Sequence, residues 1–272
     1  MLRKILDFFT GWFRQVDLVL LGLCTGATLF GCLMIASATH YTGSYKNVIV
    51  QLAAFCLGIV AYVLMSMLDL TEIGKYWKWL LGGSLVLILL LKTPLGMDGG
   101  TGNRAWLGVR GIPVNLQPVE IVKLIFIVLL ARQLVYLQEH RDLKSIPSIA
   151  LLGGHLLLIV GAYAAVSGDM GSALVLIFIF ACMCFVAGVA KRWFALGILG
   201  GSFAFYVLWE TDKISDYMKE RFMTLFDHDL DPLGIGWQQT RSLLALGGGK
   251  LTGQGLFHGT QTQSKSAWSL PA

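Results

Sequence analysis

Long apolar runs separated by short polar segments make up most of the chain between Asp17 and Trp209. Each run is close to the ~20 residues that a helix needs to cross a bilayer. The pattern predicts about seven transmembrane helices, at residues 17–37, 47–68, 77–92, 117–137, 147–166, 171–189 and 193–210. The first run lacks a cleavage site of small residues, so it is interpreted as a retained helix. The predicted fold is an all-α polytopic membrane protein with a large loop after the seventh helix.

Composition narrows the class of protein further. Hydrophobic residues make up 56% of the chain and charged residues 14%, whereas soluble domains carry roughly a quarter charged residues. The net charge of +5 is spread over segment ends, which argues against a nucleic-acid partner. An odd number of cysteines inside apolar runs indicates packing residues and neither a disulfide framework nor a zinc site. They are Cys24, Cys32, Cys56, Cys182 and Cys184.

The distribution of basic residues predicts the orientation in the membrane. Lysines and arginines precede the first run and follow every second run after it: Arg3, Lys4, Arg14, Lys75, Lys78, Arg132, Arg141, Lys144, Lys191 and Arg192. Loops rich in these residues stay in the cytoplasm, so we expect a cytoplasmic N-terminus and an extracytoplasmic segment at residues 211–272. Arg104 and Arg110 lie in a loop on the predicted outer side and therefore need another explanation.

The first polar region is GNRAWLGVRGIPVNLQPVEIVKL, residues 102–124. Pro118 suits the first turn of a helix. Glu120 and Lys123 then fall one turn apart on one face, at the outer edge of the membrane. Ionisable residues there are costly and usually face a bundle interior or a cavity. The alternative is a structural ion pair that holds two helices together.

Two further polar regions lie on the same predicted side. In SGDMGSA, residues 167–173, Asp169 is either part of a site or the N-cap of the next helix. In DPLGIGWQQTRSLLALGGGKLTGQG, residues 231–255, helical spacing predicts an interfacial amphipathic helix over 237–246, ended by Gly247–Gly249. The simpler alternative for this third region is a solvated loop in which Asp231 caps a helix.

In this order the three regions resemble the SEDS family (shape, elongation, division and sporulation), whose members include RodA, FtsW and SpoVE. Family members show a GA(K/R)RWI…QPSE..K block, a QPDLG(T/S)A turn and a DPLG.GYQ..QS..AIG.GG..G.G loop. The intact DPLG is closer to the RodA-like branch than to the division branch. Five positions depart from the pattern: Ala105, Val119, Ser167, Gly168 and Trp237.

The resemblance implies a peptidoglycan glycosyltransferase that polymerises lipid II on the outer face of the bacterial cytoplasmic membrane, with inversion at the sugar. Asp231 is then the catalytic base, and Arg104, Lys123 and Arg110 are candidates for holding the pyrophosphate. Glu120 either orients Lys123 or helps to bind a divalent cation, Mg²⁺ or Mn²⁺. The other predicted substrate-binding residues are Trp106, Gln117, Trp237 and Gln238. The predicted structural residues are Pro118, Asp169, Pro232, Gly234, Gly248, Gly253 and Gly255.

Implied partners are lipid II with its undecaprenyl-pyrophosphate glycan, a class B penicillin-binding protein, which is a transpeptidase, and membrane proteins of the elongasome or divisome. Family members continue after the sequence LP with about three more helices of ~20 residues each, to about ten in all. We therefore interpret residues 1–272 as a single transmembrane domain incomplete at its C-terminus, with a catalytic loop at about 211–272, and expect this chain by itself to be inactive. Two other functions stay open: a lipid II flippase or other transporter, and a non-catalytic scaffold for a transpeptidase.

Overall fold

The computed structural model describes residues 16–98, 103–108, 115–211, 216–224, 227 and 236–259, and helices dominate these residues. The helices, in chain order, are α1 (Leu18–Ala38), α2 (Lys46–Ser66), α3 (Leu70–Lys75), α4 (Trp77–Leu90), α5 (Pro118–His140), α6 (Ile146–Ser167), α7 (Met170–Val186), α8 (Lys191–Glu210), α9 (Asp216–Met223) and α10 (Trp237–Gly249). A short 3₁₀ helix at His40–Thr42 follows α1.

A helix occupies each of the seven predicted spans, and its ends lie within a few residues of the predicted ones. Four of these helices, α1, α2, α6 and α8, are long and apolar enough to cross a membrane, and α4 and α7 are shorter apolar helices. The helical membrane architecture is therefore confirmed, and the count of seven spans stays a prediction. The sequence pattern missed the short helix α3, which separates α2 from α4.

A small antiparallel sheet lies between α4 and α5, where the sequence pattern predicted only a loop. Its strands are β1 (Gly96–Met97), β2 (Trp106–Gly108) and β3 (Asn115–Leu116), in the order β1-β2-β3. Leu107 of β2 pairs with Gly96 on one side and with Leu116 on the other. The all-α prediction is corrected to this extent.

The chain divides into two compact units, described separately below. The first unit comprises residues 1–68 and 207–272, and the second comprises residues 69–206. In the first unit α1 packs against α2. Asp17 caps α1, because its Oδ1 accepts a hydrogen bond from the Leu20 N–H at 2.9 Å. This unit also contains α9, which was not predicted, and α10, which confirms the helix predicted over 237–246.

The second unit has α5 at its centre, in contact with α3, α4, α6 and α7. Six of the buried side chains of α5 recur every three or four residues, which is the period of one helical face: Val119, Val122, Phe126, Leu130, Leu134 and Leu137. They pack with Ile88 of α4, Tyr163 of α6 and Leu176 of α7 in one hydrophobic core. This core fixes the helix ends that carry the candidate site.

Basic residues predicted to be cytoplasmic meet at one end of the second unit. The guanidinium of Arg192 donates a hydrogen bond to the Lys144 carbonyl at 2.8 Å, and the Trp193 indole N–H donates to the same oxygen at 3.3 Å. The loop before α6 and the start of α8 therefore lie on the same side, as the basic-residue rule requires. Which side faces the cytoplasm stays a prediction.

Labelling of introduced cysteines tests this orientation. In a variant without the five native cysteines, Asn103→Cys is expected to react with a membrane-impermeant thiol reagent added to intact cells. Gln138→Cys, near the opposite end of α5, is expected to react only after the membrane is permeabilised. Protection at residue 103 together with labelling at residue 138 would reverse the predicted topology.

Candidate active site

The small sheet joins the segment that carries Arg104 to the start of α5. Arg104 lies two residues before Trp106, which is the first residue of β2. Leu107 pairs with Leu116 and Gly108 with Asn115, so continuation of this antiparallel register brings Trp106 beside Gln117. Gln117 is the N-cap residue of α5, and Pro118 occupies the first turn, as predicted. Four predicted residues therefore lie in one short stretch of structure.

Arg104 is exposed, and none of the salt bridges formed by the described residues includes it. The adjacent Ala105 is buried, with 4% of its surface exposed. Ala105 stands where family members often carry a second basic residue, and the burial explains why a small apolar side chain fits there. The guanidinium of Arg104 is thus exposed beside β2, while its neighbour Ala105 is buried.

Glu120 and Lys123 form an ion pair on the first turns of α5. Lys123 Nζ lies 2.8 Å from Glu120 Oε1, and 20% of the lysine side chain is exposed against 58% of that of the glutamate. The predicted proximity of the two side chains is confirmed. The pair satisfies the structural interpretation, and it fixes the lysine ammonium on the first turns of α5, the helix that follows the small sheet.

The turn between α6 and α7 is organised by Asp169, the N-cap of α7. Its Oδ2 accepts hydrogen bonds from the Ser172 hydroxyl at 2.6 Å and from the buried Tyr163 hydroxyl at 3.0 Å, and its Oδ1 accepts from the Ser172 N–H at 3.3 Å. Burial is the largest single influence and raises the pKa of this carboxyl, but the hydrogen bonds from Ser172, Tyr163 and Gly171 together outweigh it and hold the pKa below its ordinary value. The structural interpretation of Asp169 is the one that this geometry supports.

The same turn lies against the β2 segment. Asn103 Oδ1 lies 3.4 Å from the position that a Cβ would occupy on Gly168. Gly168 ends α6 with φ of +72°, a conformation that residues with a side chain rarely adopt. The glycine at this position therefore permits both the turn and the close approach of Asn103. Two of the three polar regions are thereby brought together at one end of the second unit.

Loss of the Asp169 carboxylate is expected to destabilise this end of the bundle. Asp169→Ala removes a helix cap and the partner of the buried Tyr163 hydroxyl, which should lower the free energy of unfolding by about 1–3 kcal/mol. Because its pKa in the folded protein is lowered, the contribution of Asp169 is present above the unfolded-state pKa of ~3.9 and is lost as the pH falls through the folded-state pKa. Thermal unfolding in detergent at pH 7 and at pH 3 measures both effects.

Asp69→Ala is the matched control for this prediction. Asp69 also caps a helix of the second unit, through its Oδ1 and the Thr71 N–H at 2.8 Å, but it is fully exposed and has no buried tyrosine partner. Its loss should destabilise the protein less. Equal losses for the two variants would show that the contact with Tyr163 contributes nothing.

In the first unit, Trp237 and Arg241 meet on the first turns of α10. The guanidinium carbon of Arg241 lies 4.2 Å from the centre of the Trp237 ring, a cation–π contact between residues four apart. The helix predicted over 237–246 does not stop at Gly247 but continues through the three glycines and ends at Gly249. Regular backbone hydrogen bonding thus extends α10 through residues of low helix propensity.

The chain after α10 folds back onto the end of α1. The Phe257 N–H donates a hydrogen bond to the Ser37 hydroxyl at 2.8 Å, and the Phe257 ring contacts His40 edge to face at 5.3 Å. Gly253 and Gly255 have φ of +75° and +90°, so both predicted structural glycines lie where a side chain would be strained. A cavity of about 570 Å³ lies between this segment and α1. Sequence patterns gave no indication of Ser37 or His40.

Three predicted residues, Asp231, Pro232 and Gly234, lie outside the described residues, as does Arg110. Gln238 belongs to α10, but its side chain is outside the description as well. Gly248 lies within α10, and a Cβ on it would approach Gln254 Nε2 to 3.0 Å. The described structure thus brings together the second-unit candidates and, separately, those of the first unit.

The predicted divalent cation has one described candidate ligand, the carboxylate of Glu120. No cluster of three or more histidine, cysteine, aspartate or glutamate residues is found in the part of the chain that the structure describes. Mg²⁺ usually takes one or two carboxylates together with substrate phosphates and water. Glu120 is therefore compatible with a cation that arrives with a phosphorylated substrate.

Comparison with known proteins identifies the family. The model of the FtsW/RodA/SpoVE cell cycle proteins matches residues 15–266. The chain belongs to this family. The resemblance carried by the three polar regions is therefore confirmed, and so is the interpretation of the chain as a polytopic membrane protein.

Curated members of the family include proteins named "Probable peptidoglycan glycosyltransferase FtsW" from Geobacter metallireducens and Trichlorobacter lovleyi. They are 29% and 30% identical over 91% of this chain, which spans 66% and 65% of their respective lengths. "Peptidoglycan glycosyltransferase MrdB" of Escherichia coli is 28% identical over 92% of this chain and 64% of its own length. The chain thus covers just under two thirds of these relatives. Both FtsW and MrdB are represented, so the RodA-like branch stays a prediction.

Two solved structures share the fold. One belongs to a study of polymerization and crosslinking by a peptidoglycan synthase complex, with a TM-score of 0.69 and 28% identity over 84% of this chain and 64% of the other. The other is the crystal structure of the rod shape determining protein RodA of Thermus thermophilus. Its TM-score is 0.57, with 28% identity over 69% of this chain and 59% of the other.

Proposed function

We propose that this protein is a peptidoglycan glycosyltransferase that polymerises lipid II into glycan strands at the outer face of the cytoplasmic membrane. Membership of the family and the activity in the names of its curated relatives support the reaction class. The observation that carries the proposal is the grouping of Arg104 with the Glu120–Lys123 pair at one end of the second unit. Two cations at a membrane boundary suit a pyrophosphate, which needs positive charge as it departs.

Different residues carry out proton transfer and charge stabilisation in the proposed reaction. Asp231 accepts the proton of the GlcNAc 4-hydroxyl on the incoming lipid II as that oxygen attacks C1 of the donor sugar. The bond between C1 and the phosphate oxygen breaks on the opposite face, the configuration inverts, and undecaprenyl pyrophosphate leaves with the electron pair. Arg104 binds the pyrophosphate oxygens through its planar fork, and Lys123 adds a point charge oriented by Glu120.

Aromatic and amide side chains complete the proposed site. Trp106 and Gln117 are adjacent through the β2–β3 register and present a flat apolar surface and a hydrogen-bonding group to the substrate. Trp237, with Arg241 against its ring, and Gln238 are the substrate-binding residues that we propose in the first unit. A divalent cation, Mg²⁺ or Mn²⁺, would neutralise phosphate charge beside Glu120 when it is bound.

The proposed partner is a class B penicillin-binding protein, a transpeptidase that crosslinks the strands. The structure of a synthase complex that polymerises and crosslinks peptidoglycan supports this proposal, because its chain shares this fold. Membrane proteins of the elongasome or divisome are the wider assembly that we expect. The predicted cytoplasmic N-terminus belongs to the same proposal, since it orients the site toward the outer face.

Polymerisation of fluorescent lipid II by the purified protein tests the proposed function. We expect glycan strands that a muramidase degrades from a protein with the full length of the curated relatives, with and without a bound transpeptidase, and no strands from residues 1–272 alone. The same preparation in liposomes tests the flippase alternative, through movement of labelled lipid II between leaflets. Movement without strand formation would favour a transporter, and neither activity with intact lipid II binding would favour a scaffold.

A further inference from the structure

The backbone around Arg104 forms a three-residue turn immediately before β2. The Ala105 N–H donates a hydrogen bond to the Asn103 carbonyl at 2.9 Å, which is the i→i+2 bond of a γ-turn with Arg104 at its centre. Arg104 is not among the described residues with positive φ, so the turn is of the inverse type, which is common at strand ends. The exposed arginine side chain therefore projects from the apex of a defined turn.

The chain that follows this turn is held by burial and by the small sheet. Ala105 has 4% of its surface exposed, so the residue after Arg104 is anchored in the protein. Two positions later, Leu107 of β2 pairs with Gly96 of β1 and with Leu116 of β3. The turn is therefore attached on its C-terminal side to a strand that is paired along both edges.

The residue that precedes Arg104 lies against the turn between α6 and α7. Asn103 is half-buried, and its Oδ1 lies 3.4 Å from the position that a Cβ would occupy on Gly168. Gly168 has φ of +72°, whereas the family pattern has proline at this position, and proline fixes φ at about −65°. The backbone that Asn103 approaches therefore has a conformation that the proline of the pattern excludes.

The turn that carries Gly168 is itself fixed in place. Asp169 accepts hydrogen bonds from the hydroxyls of Tyr163 and Ser172, and Tyr163 is fully buried. Asn103 thus rests on a part of the protein that the hydrophobic core holds. The γ-turn is supported on both sides, and the side chain of Arg104 is its exposed part.

We propose that Asn103 is a positioning residue: it lies against Gly168, fixes the γ-turn and so directs the Arg104 guanidinium toward the pyrophosphate of lipid II. Asn103 acts through Arg104 and does not itself contact the substrate. Ordering a long side chain during binding costs affinity, and a turn fixed in advance reduces that cost. This inference rests on the proposed function, because it requires Arg104 to bind pyrophosphate.

A double-mutant cycle tests whether Asn103 acts through Arg104. Equilibrium binding of labelled lipid II in nanodiscs is measured for the unmodified protein, Asn103→Ala, Arg104→Gln and the double variant. We expect Asn103→Ala to weaken binding by about two- to tenfold, the cost of ordering one long side chain. In the Arg104→Gln background the same change should cause no further loss, because no guanidinium remains to be positioned. An equal loss in both backgrounds would show a general structural role and overturn the proposal.

Asn115→Ala is the matched control within the same sheet. Asn115 Oδ1 lies 2.6 Å from the position of a Cβ on Gly108, so this is also an approach of asparagine to glycine, but at the end of β2 away from Arg104. Asn115→Ala should bind lipid II normally, and a loss equal to that of Asn103→Ala would contradict a specific role for Asn103.

The single variants separate this inference from the proposed function. Weaker binding by Arg104→Gln together with normal binding by Asn103→Ala would overturn the positioning role alone. Normal binding by both variants would overturn the proposed role of Arg104 and the positioning role with it.

Discussion

Asp231→Asn is expected to abolish polymerisation of lipid II while the protein still folds and binds its substrate. A positioned general base contributes typically 10²–10⁴-fold to a rate, and asparagine cannot accept the proton of the acceptor hydroxyl. The loss should fall on kcat and leave KM nearly unchanged, since binding is supplied by other groups. The measurement, made in a protein with the full length of the curated relatives, is the rate of strand formation from labelled lipid II, with substrate binding measured separately.

Two neighbouring aspartates provide matched controls. Asp227→Asn and Asp229→Asn remove the same charge from the same segment of the sequence, so a general electrostatic effect would appear in all three variants. We expect both controls to keep most of the activity. Strands from Asp231→Asn at the normal rate would exclude Asp231 as the base, and equal losses in the three variants would reduce its role to net charge. A flippase would tolerate the change, because transport abstracts no proton from the sugar.

Hydrophobic runs and helix-end chemistry predicted the parts of the fold that local physics determines. A run of about 20 apolar residues has few stable alternatives to a helix in a membrane, and each predicted span contains one. Asp169 and Pro118 followed from capping rules that depend on a few neighbouring residues. The Glu120–Lys123 pair followed from helical spacing alone.

The features that the sequence did not reveal depend on contacts between distant residues. Strands of two or three residues, such as Gly96–Met97, are too short to show an alternating pattern, so the sheet was not predicted. The approach of Asn103 to Gly168 joins loops separated by two helices. The hydrogen bond from the Phe257 N–H to the Ser37 hydroxyl joins residues 220 positions apart in the sequence. In each case at least one of the two contacting groups belongs to the backbone. The side chains therefore carry little information about which residues will be in contact.

The hydrogen-bond network at His155 shows the same limit. A histidine within an apolar helix reads as a packing residue, and the sequence interpretation did not select it. Its contacts depend on Gln133 and Leu151, which orient the imidazole and leave Nε2 without a partner among the described residues. Arg132 was interpreted only as a topology signal. The described salt bridges do not include Arg132, and the sequence could not show this because it depends on how α3, α4 and α5 pack together.

Arg104→Gln and Lys123→Gln are each expected to weaken binding of lipid II by about tenfold or more. Each removes a charge-assisted hydrogen bond to the pyrophosphate, worth about 1.5–3 kcal/mol. Arg104→Lys should recover part of the loss, because it keeps the charge but not the bidentate fork. The measurement is equilibrium binding of labelled lipid II in nanodiscs. A lipid that lacks the pyrophosphate is the reference ligand, and the variants should bind it as tightly as the unmodified protein does.

Glu120→Gln separates the functional interpretation of Lys123 from the structural one. If the pair only holds the start of α5, removing either partner should lower the thermal stability by a similar amount and leave lipid II binding unchanged. If Lys123 binds pyrophosphate, Lys123→Gln should lose affinity, whereas Glu120→Gln should lose little, because the ammonium remains and is no longer shared with a carboxylate. Arg192→Gln, at the other end of the unit, controls for the loss of one positive charge. Normal affinity in both Arg104→Gln and Lys123→Gln would leave the Glu120–Lys123 pair as a structural contact and Arg104 without a role in substrate binding.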